Sequence, residues 1–298
     1  MGREISKGQV KKRSVLITDL DNTLYNFVDY FSPCFRAMVC ALSRSTKINE
    51  EELTSAFREV YKARGSVEYS FAVQELVFFR DLPKAEVEFL IRVAKDAFSQ
   101  AREEKLKLYP GVIEGLEWAQ KSGIPIIGFS NAPIFHALRR LSQLRISKLI
   151  YGLAAWEGHE VPGGYEITDA IKKRAAEGGY HTDVKKLWKL TADELKPSSL
   201  GYRRVLQDTS AWSDAVFVIG DSLQKDIAPA MTAGGIGLWA KYGAEVEEEN
   251  MKTLLDITYW SSAQISADYD IQEVTPHGIL RSFADIKDII PPNTHHFL

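Results

Sequence analysis

Two aspartates, two positions apart, close an apolar run. Val15, Leu16, Ile17 and Thr18 lead into Asp19-Leu20-Asp21-Asn22-Thr23. A buried strand ending on two carboxylates is costly, because each charge raises the cost of ionising the other. A divalent cation relieves that repulsion, and a phosphate ester is the natural third member of such a site. In an extended segment, residues i and i+2 point the same way. Asp19 and Asp21 therefore share a face while Leu20 turns to the core. Two further strand-like runs end on polar residues: 124–129 before Ser130-Asn131, and 215–219 before Gly220-Asp221. If these strands are parallel neighbours, the three polar ends meet at one edge, where open α/β sheets bind ligands.

The elements that must hold these residues fall into two blocks. Residues 14–19 read as the first strand. From about 25 to 109 the chain then reads as helix after helix. Asn49 is placed as an N-cap, Glu50, Glu51 and Glu52 fill an acidic first turn, and Leu53, Ala56, Phe57, Val60 and Tyr61 form a stripe at helical spacing. Segments 71–79 and 85–98 are further helix candidates, and Tyr109-Pro110-Gly111 ends the block. Beyond it, strands are expected at 124–129, 149–155, 215–219 and 236–240. They alternate with helices at 112–121, 133–147, 200–207 and 226–233. That alternation predicts a parallel sheet covered on both faces. Segment 156–195 fits less well and reads as an insertion. It carries a short basic helix at 169–176 (Lys172, Lys173, Arg174) between Gly163-Gly164 and Gly178-Gly179, and a second helix at 183–190.

Composition narrows the function. The 298 residues are 45% hydrophobic and 26% charged, as in ordinary globular proteins, and are enough for two domains. The net charge of -3 argues against a general nucleic-acid binder. No apolar stretch nears the ~20 residues of a membrane span, and residues 1–13 lack the apolar core of a signal peptide. Cys34 and Cys40 sit six apart on a predicted helix and face different sides, so packed thiols in a cytoplasmic protein are expected. His136, His159 and His181 have no partners at ligand spacing, and His295 and His296 are too few for a metal cluster. Tyr25, Phe27, Tyr30 and Phe31 are expected to pack within the helical block.

Four motifs, in order, resemble the haloacid dehalogenase (HAD) superfamily of hydrolases. They are Asp19-Leu20-Asp21-Asn22-Thr23 after a strand, Ser130-Asn131 at the end of the next sheet strand, Lys196-Pro197 before a helix, and Gly220-Asp221-Ser222 followed by Asp226. The likeness spans about 14–240. It implies a Rossmann-like α/β three-layer sandwich, residues 1–24 and 110–298, with a helical cap domain of the first cap class at 25–109. In its phosphatase branch, Asp19 would be the nucleophile and Asp21 the acid–base. Ser130, Asn131 and Lys196 would bind phosphate. Asp19, the main-chain carbonyl of Asp21, and Asp221 would hold Mg2+, with Asp226 in or near that shell. Members that cleave carbon–halogen bonds lack the second acid, so Asp21 favours phosphate chemistry. The substrate would be a small phosphorylated metabolite: a sugar phosphate, a phosphoglycolate-like acid or a nucleoside monophosphate. A phosphomutase, a 2-haloacid dehalogenase and a non-catalytic scaffold are the alternatives.

Overall fold

The computed structural model describes residues 13–159, 183–210, 213–258 and 274–293. The expected basic helix at 169–176, its flanking glycine pairs, His181, His295 and His296 lie outside the described residues.

The first strand, β1 (Ser14–Asp19), is followed by four helices: α1 (Phe27–Thr46), α2 (Glu50–Arg64), the single turn α3 (Ala72–Glu75) and α4 (Lys84–Lys105). Their ends are set locally. The Asn26 side chain accepts from the Asp29 amide at the start of α1, and Asn49 does the same for Glu51 at the start of α2. Each satisfies an otherwise orphaned N–H. Gly65 closes α2 in the left-handed conformation. The chain then enters α5 (Val112–Lys121), β2 (Ile126–Pro133), α6 (Ile134–Gln143) and β3 (Gly152–Trp156). After the segment outside the described residues come β4 (Lys186–Leu190), α7 (Ser199–Ser210), β5 (Ala215–Gly220), a π-helical turn at Leu223–Ile227, α8 (Ala228–Thr232) and β6 (Ile236–Ala240). The last elements are α9 (Glu248–Ile257), β7 (Gly278–Leu280) and the short α10 (Ile286–Ile289).

All seven strands are parallel, in the order β4-β3-β2-β1-β5-β6-β7. The fold is a Rossmann-like α/β sandwich. Strand alternation splits the apolar side chains between the faces. Val15, Ile17, Phe129 and Val218 pack with Tyr202 and Val205 of α7, whereas Leu16, Ile126 and Ile219 pack with α5 and α6 on the other side. Register decides what reaches the rim. Asp19 lies opposite Phe129, and Thr18 opposite Ile219. Ser130 and Asp221 therefore emerge at the same edge as Asp19.

Four readings change, the first being that the helix expected at 71–79 is only the single turn Ala72–Glu75. Residues 183–190 do not form a helix: Lys186–Leu190 is the edge strand β4, so this stretch belongs to the sheet and not to an insertion. Val184, Leu187 and Leu190 imitate a helical stripe, but in the strand Trp188 and Leu190 are buried while Leu187 is exposed. The helix expected at 226–233 is broken by the π-helical turn, which takes in Asp226. Strand β2 runs past Ser130-Asn131 to Pro133, with a register shift between Ser130 and Pro133. Among the described residues, no helix is long and apolar enough to cross a membrane.

Candidate active site

At the carboxyl ends of β1 and β5, Asp19, Asp221 and Asp226 bring carboxylate oxygens within 4.8 Å of one another. Lys196, in the loop before α7, enters the group from the other side. Its ammonium donates to Asp19 Oδ1 and, at 2.7 Å, to Asp226 Oδ1. The Lys196 and Asp19 side chains are 7% and 4% exposed. Asp226 is fixed further by the Ser222 amide (3.1 Å) and the Tyr202 hydroxyl (3.4 Å), and Tyr202 is itself held by stacking on Phe129 with centroids 4.1 Å apart. Gly220 makes this approach possible, because a Cβ there would sit 2.3 Å from Asp226 Cβ.

The electrostatics are unbalanced. Burial pushes the Asp19 carboxyl up to about 7; Lys196 pulls against it, while Asp226 and Asp21 add to the rise. Burial, then the charges of Asp226 and Asp19, push Asp221 well above the ordinary carboxylate range. Burial works against the Lys196 ammonium, but Asp19 and Asp226 overcome it and hold the lysine charged. Three carboxylates thus face one ammonium. Asp19 Oδ2 is buried with no hydrogen-bond partner. A hard divalent cation would fit this all-oxygen set, supplying the missing partner and offsetting the repulsion among the acids.

Asn131 departs from expectation. Its Nδ2 donates to Lys196 O and its Oδ1 accepts from Lys196 N, both at 2.9 Å. The side chain holds the lysine's backbone in place. Ser130 is buried at the rim; its hydroxyl donates to Asp21 Oδ2 at 3.3 Å and accepts from the Ala132 amide at 3.0 Å.

Asp21 lies outside the three-acid cluster, so its carboxylate is not a member of the candidate metal group; only its main-chain carbonyl was expected there. Its Oδ1 accepts from the Tyr25 hydroxyl at 2.7 Å and pairs with Arg140 Nη1 at 3.2 Å. Arg140 also pairs with Glu68 Oε1 at 3.0 Å and stands over the rings of Tyr25 and Phe27. Burial pushes Glu68 up to about 7 against the pull of Arg140. The packing role expected for the aromatics at 25–31 holds for Tyr30 and Phe31, which are buried, but Tyr25 and Phe27 also face this charged network. His136, half-buried, receives or donates a hydrogen bond with Ser70 at 3.0 Å. Burial and the nearby Arg140 and Arg139 push it down to about 3.

Sequence reasoning missed Arg140 and Glu68. A signal existed for the first. Ala137, Arg140, Leu141 and Leu144 fall on one helical stripe, and a charge on an otherwise apolar stripe needs a buried partner. Glu68 sits in the loop before α3 and carries no comparable mark.

Residues 14–234 match the family described as haloacid dehalogenase-like hydrolases. The chain belongs to that family and is a hydrolase of it. Among solved structures it is similar to the 2-haloacid dehalogenase from Pseudomonas syringae pv. Tomato DC3000, with 15% identity over 93% of this chain and 97% of that one and a TM-score of 0.53. It is also similar to the HAD phosphatase from Thermococcus onnurineus, with 13% identity over 94% and 99% and a TM-score of 0.51. No curated protein matches the chain significantly. At such identities the likeness speaks for the fold alone, and one fold carries both chemistries.

Proposed function

We propose that this hydrolase is a Mg2+-dependent phosphatase acting on a small phosphomonoester. The observation that carries the reading is the division of labour among the acids. Asp19 lies in a cation-hungry cluster with Lys196, whereas Asp21, two residues on, is held apart by Tyr25, Ser130 and Arg140.

Asp19 would attack phosphorus and carry the phosphoryl group as an aspartyl-phosphate, splitting one hard displacement into two easier ones. Asp21 would protonate the departing ester oxygen and then take a proton from the water that hydrolyses the intermediate; such help is worth typically ~10²–10⁴-fold. Lys196 would neutralise charge on the nucleophile and the phosphoryl oxygens. At ~4 Å and an effective dielectric of ~20, one such contact is worth about 4 kcal/mol before desolvation. Ser130 would bind a phosphoryl oxygen. Asp19, the Asp21 carbonyl, Asp221 and Asp226 would hold Mg2+, which neutralises the phosphate and screens the two acids from each other. A haloacid has no leaving oxygen to protonate, and a carbon–halogen reaction would leave so carefully held an Asp21 without work.

In this reading the helical segment 25–109 is a cap over a core formed by 1–24 and 110–298. It excludes water and contacts the leaving group, and it turns near Asn26 and Pro110-Gly111. Purified protein screened against sugar phosphates, phosphoglycolate-like acids and nucleoside monophosphates, with Mg2+ and with EDTA, tests the proposal. Metal-dependent phosphate release is expected. Halide release from 2-haloacids without phosphate release from any ester would overturn it.

A further inference from the structure

We infer that Arg140 is a positioning residue for the acid–base carboxylate Asp21, and that Glu68, carried by the helical segment, sets Arg140 in turn. The inference rests on the phosphatase reading above.

The Arg140 side chain is 2% exposed. A buried guanidinium is tolerated only where carboxylates compensate it. It touches none of Asp19, Asp221, Asp226 or Lys196 by any hydrogen bond or ion pair recorded among the described residues, so it does not serve the nucleophile cluster. Its partners are Asp21 Oδ1 at 3.2 Å and Glu68 at 3.0 and 3.3 Å.

The route of each partner gives the pairing its meaning. Strand β2 and helix α6 are consecutive. The strand delivers the Ser130 hydroxyl to Asp21 Oδ2, and the helix that follows delivers Arg140 to Oδ1. With the Tyr25 hydroxyl also on Oδ1, both carboxylate oxygens are held, and rotation of the group would break contacts on each. Glu68 arrives from a different part of the chain, the loop between α2 and α3. Seating that loop against α6 completes the Arg140 environment. The Ser70–His136 hydrogen bond (3.0 Å), two residues further along the same loop, reaches the same helix. The approach of the helical segment and the aim of Asp21 are therefore one event, linked through a shared arginine.

A group that only stabilises the fold affects every substrate alike. A group that aims the general acid matters most where the leaving oxygen needs a proton. The test compares kcat/KM for an alkyl phosphate, whose alkoxide leaves poorly, with that for p-nitrophenyl phosphate, whose phenolate leaves unaided. The variants are Arg140→Met, Arg140→Lys and Glu68→Gln, each checked for folding by circular dichroism. Arg140→Met is expected to lose about 100-fold on the alkyl ester, the scale of a small misplacement, and less than about threefold on the aryl ester. Arg140→Lys should recover part of the alkyl activity, and Glu68→Gln should show the same selectivity with a smaller loss. If Arg140→Met does not fold, the lysine and glutamine variants carry the comparison. Equal losses on both esters, or no loss on either, overturn the inference. The alkyl ester used is the best substrate of the metabolite panel, and a wild type that releases phosphate from no ester of that panel overturns the phosphatase reading and this inference with it.

Discussion

Two buried charged clusters lie side by side at the rim of one sheet, and they are built on opposite principles. The Asp19–Asp221–Asp226 group sets three acids against Lys196 and leaves Asp19 Oδ2 without a partner. The Asp21 group sets two acids against Arg140 and adds hydroxyls from Tyr25 and Ser130. The first is incomplete and calls for an added cation. The second is closer to balance in charge, with Arg140 paired to two acids, although Arg140 Nε and Nη1 make no hydrogen bond. Neither arrangement is needed for stability, since well-packed apolar residues often do as well as a buried ion pair.

The sharpest break of this comparison is Asp19→Asn. It keeps the shape and removes the nucleophile, so a loss of about 10³-fold or more in phosphate release is expected, with the fold retained. Wild-type-like turnover would end the assignment of Asp19. Lys196→Met comes next. It leaves buried acids without their counter-charge, and a loss of about 3–5 kcal/mol in denaturant-monitored stability is expected in EDTA. Added Mg2+ should return part of that loss. Restoration of stability without activity would separate the lysine's structural role from its part in catalysis.

The first cluster was legible in the sequence and the second largely was not, for a physical reason. Asp19, Ser130 and Asp221 follow apolar runs that become adjacent parallel strands, so local pattern plus sheet topology brings them together. Lys196 is marked by its motif, but the clasp of Asn131 on its backbone is a tertiary detail that no spacing encodes. Arg140 and Glu68 meet across the boundary between α6 and the helical segment, and no spacing encodes that pairing. The same holds for the elements beyond residue 240, to which no element was assigned. Helix α9 docks on α1 through Arg36, Asn250 and Thr253, with bonds of 2.7–2.9 Å between side chains more than 200 positions apart. Strand β4 failed differently. An edge strand of five residues is too short for its period-2 pattern to outweigh a chance helical one.

The deficit of the first cluster also has a pH signature. The Asp19 carboxyl rises from an ordinary 3.8 to about 7 on folding. The metal-free folded protein therefore holds a proton that the unfolded chain has lost. The stability this contributes is full below 3.8 and is lost as pH rises through about 7. Mg2+ needs the deprotonated cluster, so its benefit grows over the same window. Thermal melts should show a larger Mg2+-induced rise in Tm at about pH 8 than at about pH 5.5, by a margin that follows mass action. An equal rise at both would place the ion elsewhere.

The gentlest probe falls on the second cluster. Tyr25→Phe removes a single hydroxyl, the 2.7 Å donor to Asp21 Oδ1, and leaves the ring that packs beneath Arg140. Ser130 and Arg140 still hold the carboxylate, so a stability change of about 1 kcal/mol is expected from one hydrogen bond in a network that keeps its other members. The kcat/KM should fall several-fold on an alkyl ester and hardly at all on an aryl one, a weaker copy of the Arg140 pattern. If Tyr25→Phe instead matched Arg140→Met in size, the hydroxyl would aim Asp21 as much as the guanidinium does.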